Sequence, residues 1–165
     1  MFKKIVLFAL VMFPVIAFAQ DKIAYINYME VAASMPEYKA MQDSLKRSES
    51  SFQAELKSMS DEYTKKLTDY VNQRDSLNES IKVRRQAELE ELQQRAENFQ
   101  QYAAQTQDEM QQRLSMPILD KLQKAITEVG KENNFLYIAN AQAFLYVAPQ
   151  ATDATPLVKR KLGIQ

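Results

Sequence analysis

The chain has 165 residues, with 21 basic and 21 acidic side chains, no histidine, no cysteine and only two glycines. The commonest acid–base group, the strongest thiol nucleophile, the usual transition-metal ligands and any disulfide are therefore unavailable. With Gly130 and Gly163 as the only glycines, neither a phosphate-cradling loop nor a dinucleotide fingerprint can be written, which argues against nucleotide-driven work. Carboxylate, lysine or serine catalysis has no supporting motif, no cofactor is expected, and the chain reads as non-enzymatic.

The first nineteen residues carry the parts of a secretory leader. Lys3 and Lys4 precede an apolar run from Ile5 to Phe18, and the small-residue frame Ala17-Phe18-Ala19 precedes Gln20. Cleavage is expected after Ala19. The run is shorter than the roughly 20 residues a bilayer core requires, so stable membrane insertion is not expected. What remains, residues 20–165, has the size of one ordinary domain. Without Lys3 and Lys4 its formal charge is −2, 19 bases against 21 acids, which argues against a nucleic-acid surface.

Residues 22–28 form a short apolar and aromatic run rich in strand formers, followed by helix-favouring residues from Met29 to Ala33. Pro36 suits the first turn of a new helix, where its missing N–H costs nothing. From Glu37 to Met116 there is neither proline nor glycine, and good helix formers dominate. So long a stretch implies a coiled coil or a long helical hairpin.

The apolar spacing defines two seams. Met41, Leu45, Ser48, Phe52, Leu56, Met59, Tyr63, Leu67 and Tyr70 follow an eleven-residue repeat, and Leu89, Leu92, Ala96, Phe99, Ala103, Thr106 and Met110 follow a heptad. Between them, residues 72–80 are rich in Asn, Asp and Ser, which can bond their own backbone and compete with helix. A reversal there gives two arms of about 60 Å with facing seams. One unbroken helix is the competing reading, because no glycine or proline forces a turn.

Pro117 is expected to interrupt or restart the helix, with Ile118, Leu119, Leu122, Ala125, Ile126 and Val129 forming a third amphipathic helix that stops over residues 130–134. Two strands are expected, over 135–139 and 143–147. Thr155 can cap a last short helix, with Pro156 at its first position and Gly163 past its end.

This order resembles the Skp/OmpH family of periplasmic chaperones. The opening strand Lys-Ile-Ala-Tyr-Ile, the Met-Pro-Glu-Tyr step at residues 35–38, the long helical stretch and the strand-rich end all match. The most specific stretch is 135–155, with Phe-Leu-Tyr-Ile-Ala-Asn-Ala, then Leu-Tyr-Val-Ala, then Asp153-Ala154-Thr155. The resemblance covers residues 22–162 and implies an α+β fold, predominantly helical. A long antiparallel helical hairpin over 37–116, turning near 72–80, would stand on a small β-rich trimerisation body made of 20–36 and 117–165.

It further implies a homotrimer located in the periplasm, whose three arms hold unfolded outer-membrane β-barrel proteins without ATP. The body would use Ile23, Tyr25 and Ile26 from the first strand, and Leu136, Ile138, Phe144, Tyr146 and Val147 from the last. Client contacts are expected from flexible Met and amphipathic Tyr and their neighbours: Met59, Tyr63, Tyr70, Leu77, Ile81, Phe99, Tyr102 and Met110. For those on a seam, closing the hairpin is the plainer role; Leu77, Ile81 and Tyr102 lie near the tip or beside the seam. The charges from Asp61 to Glu91 read as a solvated face paired three or four residues apart. The better-known family members are strongly basic whereas this chain is slightly acidic, which bears against electrostatic capture of clients and against lipopolysaccharide binding. A structural envelope coiled coil that binds folded partners is the alternative role.

Overall fold

The computed structural model describes residues 22–164; the leader read at residues 1–19 lies outside them. Strand β1 (Lys22–Ile26) leads into helix α1 (Tyr28–Ser34), then α2 (Pro36–Gln73) and α3 (Glu79–Glu132), strand β2 (Phe135–Asn140), strand β3 (Thr152–Asp153) and helix α4 (Thr155–Lys161). The three strands form a parallel sheet in the order β2-β1-β3, with β1 in the middle. Parallel neighbours need long crossovers. The whole helical excursion is the crossover between β1 and β2.

Local chemistry sets the boundaries. Asn27 ends β1 because its Oδ1 accepts the Glu30 N–H at 3.3 Å and caps α1. Met35, extended and 1% exposed, separates α1 from α2, and Pro36 occupies the first turn of α2. At the far end, residues 74–76 form a 3-10 turn, Leu77 is extended, and the Asn78 side chain accepts the Ile81 N–H at 3.0 Å to start α3. The chain therefore reverses, and the helices run antiparallel as a hairpin. Helix α3 ends where Asn133 N–H and Nδ2 both donate to the Val129 carbonyl and Asn134 adopts φ +53°.

The core lies in the body, where Ile26, Val31, Ala32 and Met35 pack with Met41, Ile118, Leu122, Ala125, Ile126, Val129 and Val158. Each fully buried aliphatic side chain is worth about 1.5–3 kcal/mol. This core explains the first correction: Pro117 does not interrupt the helix, and α3 runs through it from arm into body. A proline within a helix costs about 3 kcal/mol. Ile118 and Leu122 are 4% and 0% exposed just beyond it, so their burial outweighs that cost.

Two further expectations change. Residues 143–147 form no strand; Ala141–Ala143 make a 3-10 turn, and the third strand is Thr152–Asp153. By then β1 already holds β2 on one side, and its other side is taken by β3. Thr155 does not cap α4: Ala154 is the cap residue, Asp153 Oδ1 accepts the Thr155 N–H at 2.8 Å, and the Thr155 hydroxyl oxygen accepts the Asn27 N–H at 3.0 Å. The side chain is drawn across the fold instead of onto its own helix. Gly163, at φ +72°, does lie just past that helix.

Candidate functional site

The arm buries its seam unevenly. On α2, Met41 and Tyr70 are buried, Phe52, Leu56, Met59 and Tyr63 are half-buried, and Leu67 is exposed. On α3, Leu89, Leu92 and Ala103 are buried, while Ala96, Phe99, Thr106 and Met110 are half-buried. Near mid-arm the Phe52 ring meets Phe99 edge-on at 5.9 Å and Tyr102 at 6.3 Å. Phe52 and Phe99 close the hairpin, whereas Tyr102 stays 59% exposed. An amphipathic ring is thereby presented to solvent on a rigid aromatic base.

Towards the tip, Leu56, Met59, Tyr63, Leu92 and Ala96 line an open groove of about 470 Å³ with a rim of Ser60, Gln93, Glu97 and Gln100. The small side chains of Ala96 and Ser60 leave this space between longer neighbours. Of the side chains expected to touch clients, the groove gathers Met59 and Tyr63; Phe99 and Tyr102 share the aromatic cluster; Leu77, Ile81 and Met110 are half-buried; and Tyr70 is buried. The eight do not form one patch. Val71 and Val83, near the turn, are 62% and 59% exposed, and the sequence reading passed over both because they lie off the seam repeat.

The charged face does more than pair along each helix. Lys66 and Arg84 have partners four residues away in Glu62 and Glu88. Across the hairpin, Arg95 meets Glu62 at 3.1 Å and Lys66 meets Glu88 at 3.7 Å. Such exposed pairs contribute little individually. Gln107 also crosses, donating from Nε2 to the Leu45 carbonyl, while its buried Oε1 has no partner. At the arm base Glu37 pairs with Lys121, which holds the Glu37 carboxyl below its ordinary value.

The body presents a different surface. Ala24 and Ile26 point from β1 into the core, so Ile26, expected in the trimer body, serves its own protomer's core. On the other face Ile23 is 54% exposed and Tyr25 half-buried. Ile23, Tyr25, Phe144, Tyr146 and Val147 border a groove of about 210 Å³. Phe144, Leu145 and Tyr146 are 42%, 109% and 77% exposed, and on β2 Leu136 and Tyr137 are 54% and 63% exposed. Ile138 is instead half-buried, its Cδ1 at contact distance from where Gly130 would carry a Cβ. Leu145 and Tyr137 are not among the body residues expected from the sequence, although both lie within the two runs read there as strands.

Among the described residues no helix is long and apolar enough to cross a membrane, and no three or more acidic side chains converge as a metal site. A Caulobacter crescentus CB15 protein, named as an OmpH-like outer membrane chaperone, has a solved structure similar to this one. It superposes with a TM-score of 0.77 at 15% identity, over 87% of this chain and 85% of that one. At that identity the likeness establishes the fold. No curated protein matches the sequence. The family model for OmpH-like outer membrane proteins matches residues 22–162, from the first strand to the end of the last helix, and the chain belongs to that family.

Proposed function

We propose that this chain is a periplasmic holdase chaperone, acting without ATP, whose homotrimer encloses unfolded outer-membrane β-barrel proteins between three hairpin arms. The observation that carries the reading is the contrast between the two parts of one protomer. The arm is a hairpin of about 57 Å, from 38 residues of α2, that packs against itself along its length. The body leaves six large apolar side chains exposed at its sheet, from Ile23 through Leu136 and Tyr137 to Phe144, Leu145 and Tyr146. Apolar patches of this kind mark interaction surfaces.

Three bodies joined through these faces would gather three arms, and weak contacts from Tyr102 and the groove lined by Met59 and Tyr63 would add by multivalency. Weakness at each contact suits a protein that must release what it holds. Cleavage of the leader after Ala19 and residence in the periplasm belong to the same reading. The related protein's name as a chaperone supports it. Reversal at residues 74–78 weakens the alternative of an extended envelope spacer, which calls for one unbroken helix.

The test joins particle mass with protection from aggregation. The mature chain is expected at three times its monomer mass and to keep a urea-diluted outer-membrane barrel protein soluble. A stable monomer, or a trimer that leaves aggregation unchanged, would overturn the reading.

A further inference from the structure

The chain has no cysteine, so methionine thioethers are its only sulfur, and the fold places them in sharply different surroundings. Met35 is 1% exposed in the core, and Met110 is half-buried on the seam. Met41 borders a cleft at the arm base beside Pro117 but is only 7% exposed. Met29 and Met116 are 49% and 69% exposed at the surface. Met59 differs from all of these, because it is half-buried and lines the open groove with Leu56, Tyr63, Leu92 and Ala96. A small oxidant can reach its sulfur there, and so can whatever occupies the groove.

We infer that Met59 is a site of reversible oxidation, at which a hydroperoxide converts the thioether to a sulfoxide and so turns off the groove's hold on apolar client segments. The inference rests on the holdase reading given above. In the step, hydrogen peroxide gives one oxygen atom to the Met59 sulfur: the O–O bond breaks, an S–O bond forms, the sulfur gives up two electrons and the peroxide leaves as water. A polar side chain now stands where an apolar one stood. An apolar segment seated in the groove would cover that oxygen without bonding it, and burying a polar group unpaired is unfavourable. The arm itself tolerates the change, because the groove is open and Gln93 and Gln100 on its rim offer amide donors. At Met29 and Met116 the same product stays in water and blocks nothing. A thiol-dependent reductase reverses the step: two thiols become a disulfide, and the sulfoxide oxygen leaves as water.

Residues 20–165 are treated with hydrogen peroxide and sampled over time for oxygen uptake at each methionine by peptide mass mapping, for helicity by circular dichroism, and for protection of a urea-diluted barrel protein. Met59 is expected to gain one oxygen while helicity holds and Met35 stays unmodified. Loss of protection should follow the conversion of Met59 and lag behind the faster conversion of Met29 and Met116. Each variant is read against its own untreated sample. Met29→Leu with Met116→Leu should lose protection several-fold on treatment, as the wild type does, whereas Met59→Leu should lose none. A methionine sulfoxide reductase with a dithiol should restore the treated wild type. A Met59 that stays a thioether while Met116 is converted overturns the inference. So does full protection by a chain oxidised at Met59, a loss that tracks Met116 or falling helicity, or an equal loss in Met59→Leu. Untreated protein that protects no client overturns the holdase reading, and this inference with it.

Discussion

The backbone N–H of Asn27 donates to the hydroxyl oxygen of Thr155 at 3.0 Å, across 128 positions of sequence, and ties the end of the first strand to the start of the last helix. Thr155 is 4% exposed, and its own N–H is held by Asp153. Replacing Thr155 by Val keeps the shape and removes the acceptor. The Asn27 N–H would then be left without its partner, at a cost of about 1–3 kcal/mol. Thermal unfolding should show a lowered Tm for Thr155→Val, with Thr155→Ser close to wild type. An unchanged Tm in the valine variant would mean that the clasp contributes nothing.

Gln107 offers the opposite case, a polar group whose removal should help. Its Nε2 bonds the Leu45 carbonyl, but its Oε1 is buried without a partner. Gln107→Leu removes that unsatisfied oxygen and adds apolar contact to the seam, for a gain of up to about 1 kcal/mol. Denaturant unfolding followed by helicity should shift to higher midpoint. A lower midpoint would show that the bond to Leu45 outweighs the orphaned oxygen.

Tyr102 and Phe99 separate client contact from arm packing. Tyr102 is exposed, so Tyr102→Ala should cost less than about 1 kcal/mol in stability while reducing protection of an unfolded barrel protein. Phe99→Ala removes a half-buried ring from the seam and should lower stability by about 2–3 kcal/mol. Equal losses of protection at equal stability in the two variants would contradict a client-facing role for Tyr102.

On the body, Leu136→Asp with Tyr146→Asp should yield a monomer with its helicity intact, because both side chains are exposed. Ile138 is a poorer choice for this test, since it packs beside Gly130 within the protomer. Sedimentation gives the mass and circular dichroism the helicity. A trimer that survives both charges would place the assembly surface elsewhere.

The acid side of the stability curve should depend on Glu37 and Glu128. The hydrogen bond from Lys121 lowers the first carboxyl, and that from Lys161 lowers the second. A carboxyl lowered in the folded state contributes in full above its ordinary value of 4.5, and the contribution is lost below it as pH falls on through the lowered folded-state value. Lys161, pushed up to about 12 by Glu132 and Glu128, works in the other direction and loses its contribution only in strong alkali. Lys121→Met with Lys161→Met should therefore flatten the fall in Tm between pH 5 and about pH 3, by a small amount because both pairs are largely exposed and screened by solvent. An equally steep fall would assign acid sensitivity to other groups.

Much of the fold was legible because it is local. The proline- and glycine-free stretch and its two apolar repeats announce the long helices. The polar cluster around Asn78 left the reversal open on the residues alone, and family resemblance favoured it. Pro117 misled because a local breaking signal competes with a core that only the folded chain assembles: Leu122 is wholly buried five residues on. Residues 143–147 misled for a related reason, since strand-forming composition cannot say whether a partner strand is free.

The candidate site was less legible than the fold. Met59 and Tyr63 share a groove because Ala96 and Ser60 are small on facing helices, a relation visible only once the hairpin register is set. By itself the amino-acid order determined that long helices form over residues 37–116, because helix propensity and apolar spacing depend on side chains within a few residues of one another. Only the tertiary structure decided that β1 pairs in parallel with both β2 and β3, that Thr155 serves Asn27, and that Leu145 and Tyr146 are left outward. Those outcomes depend on which distant groups have already claimed each donor, edge and apolar face.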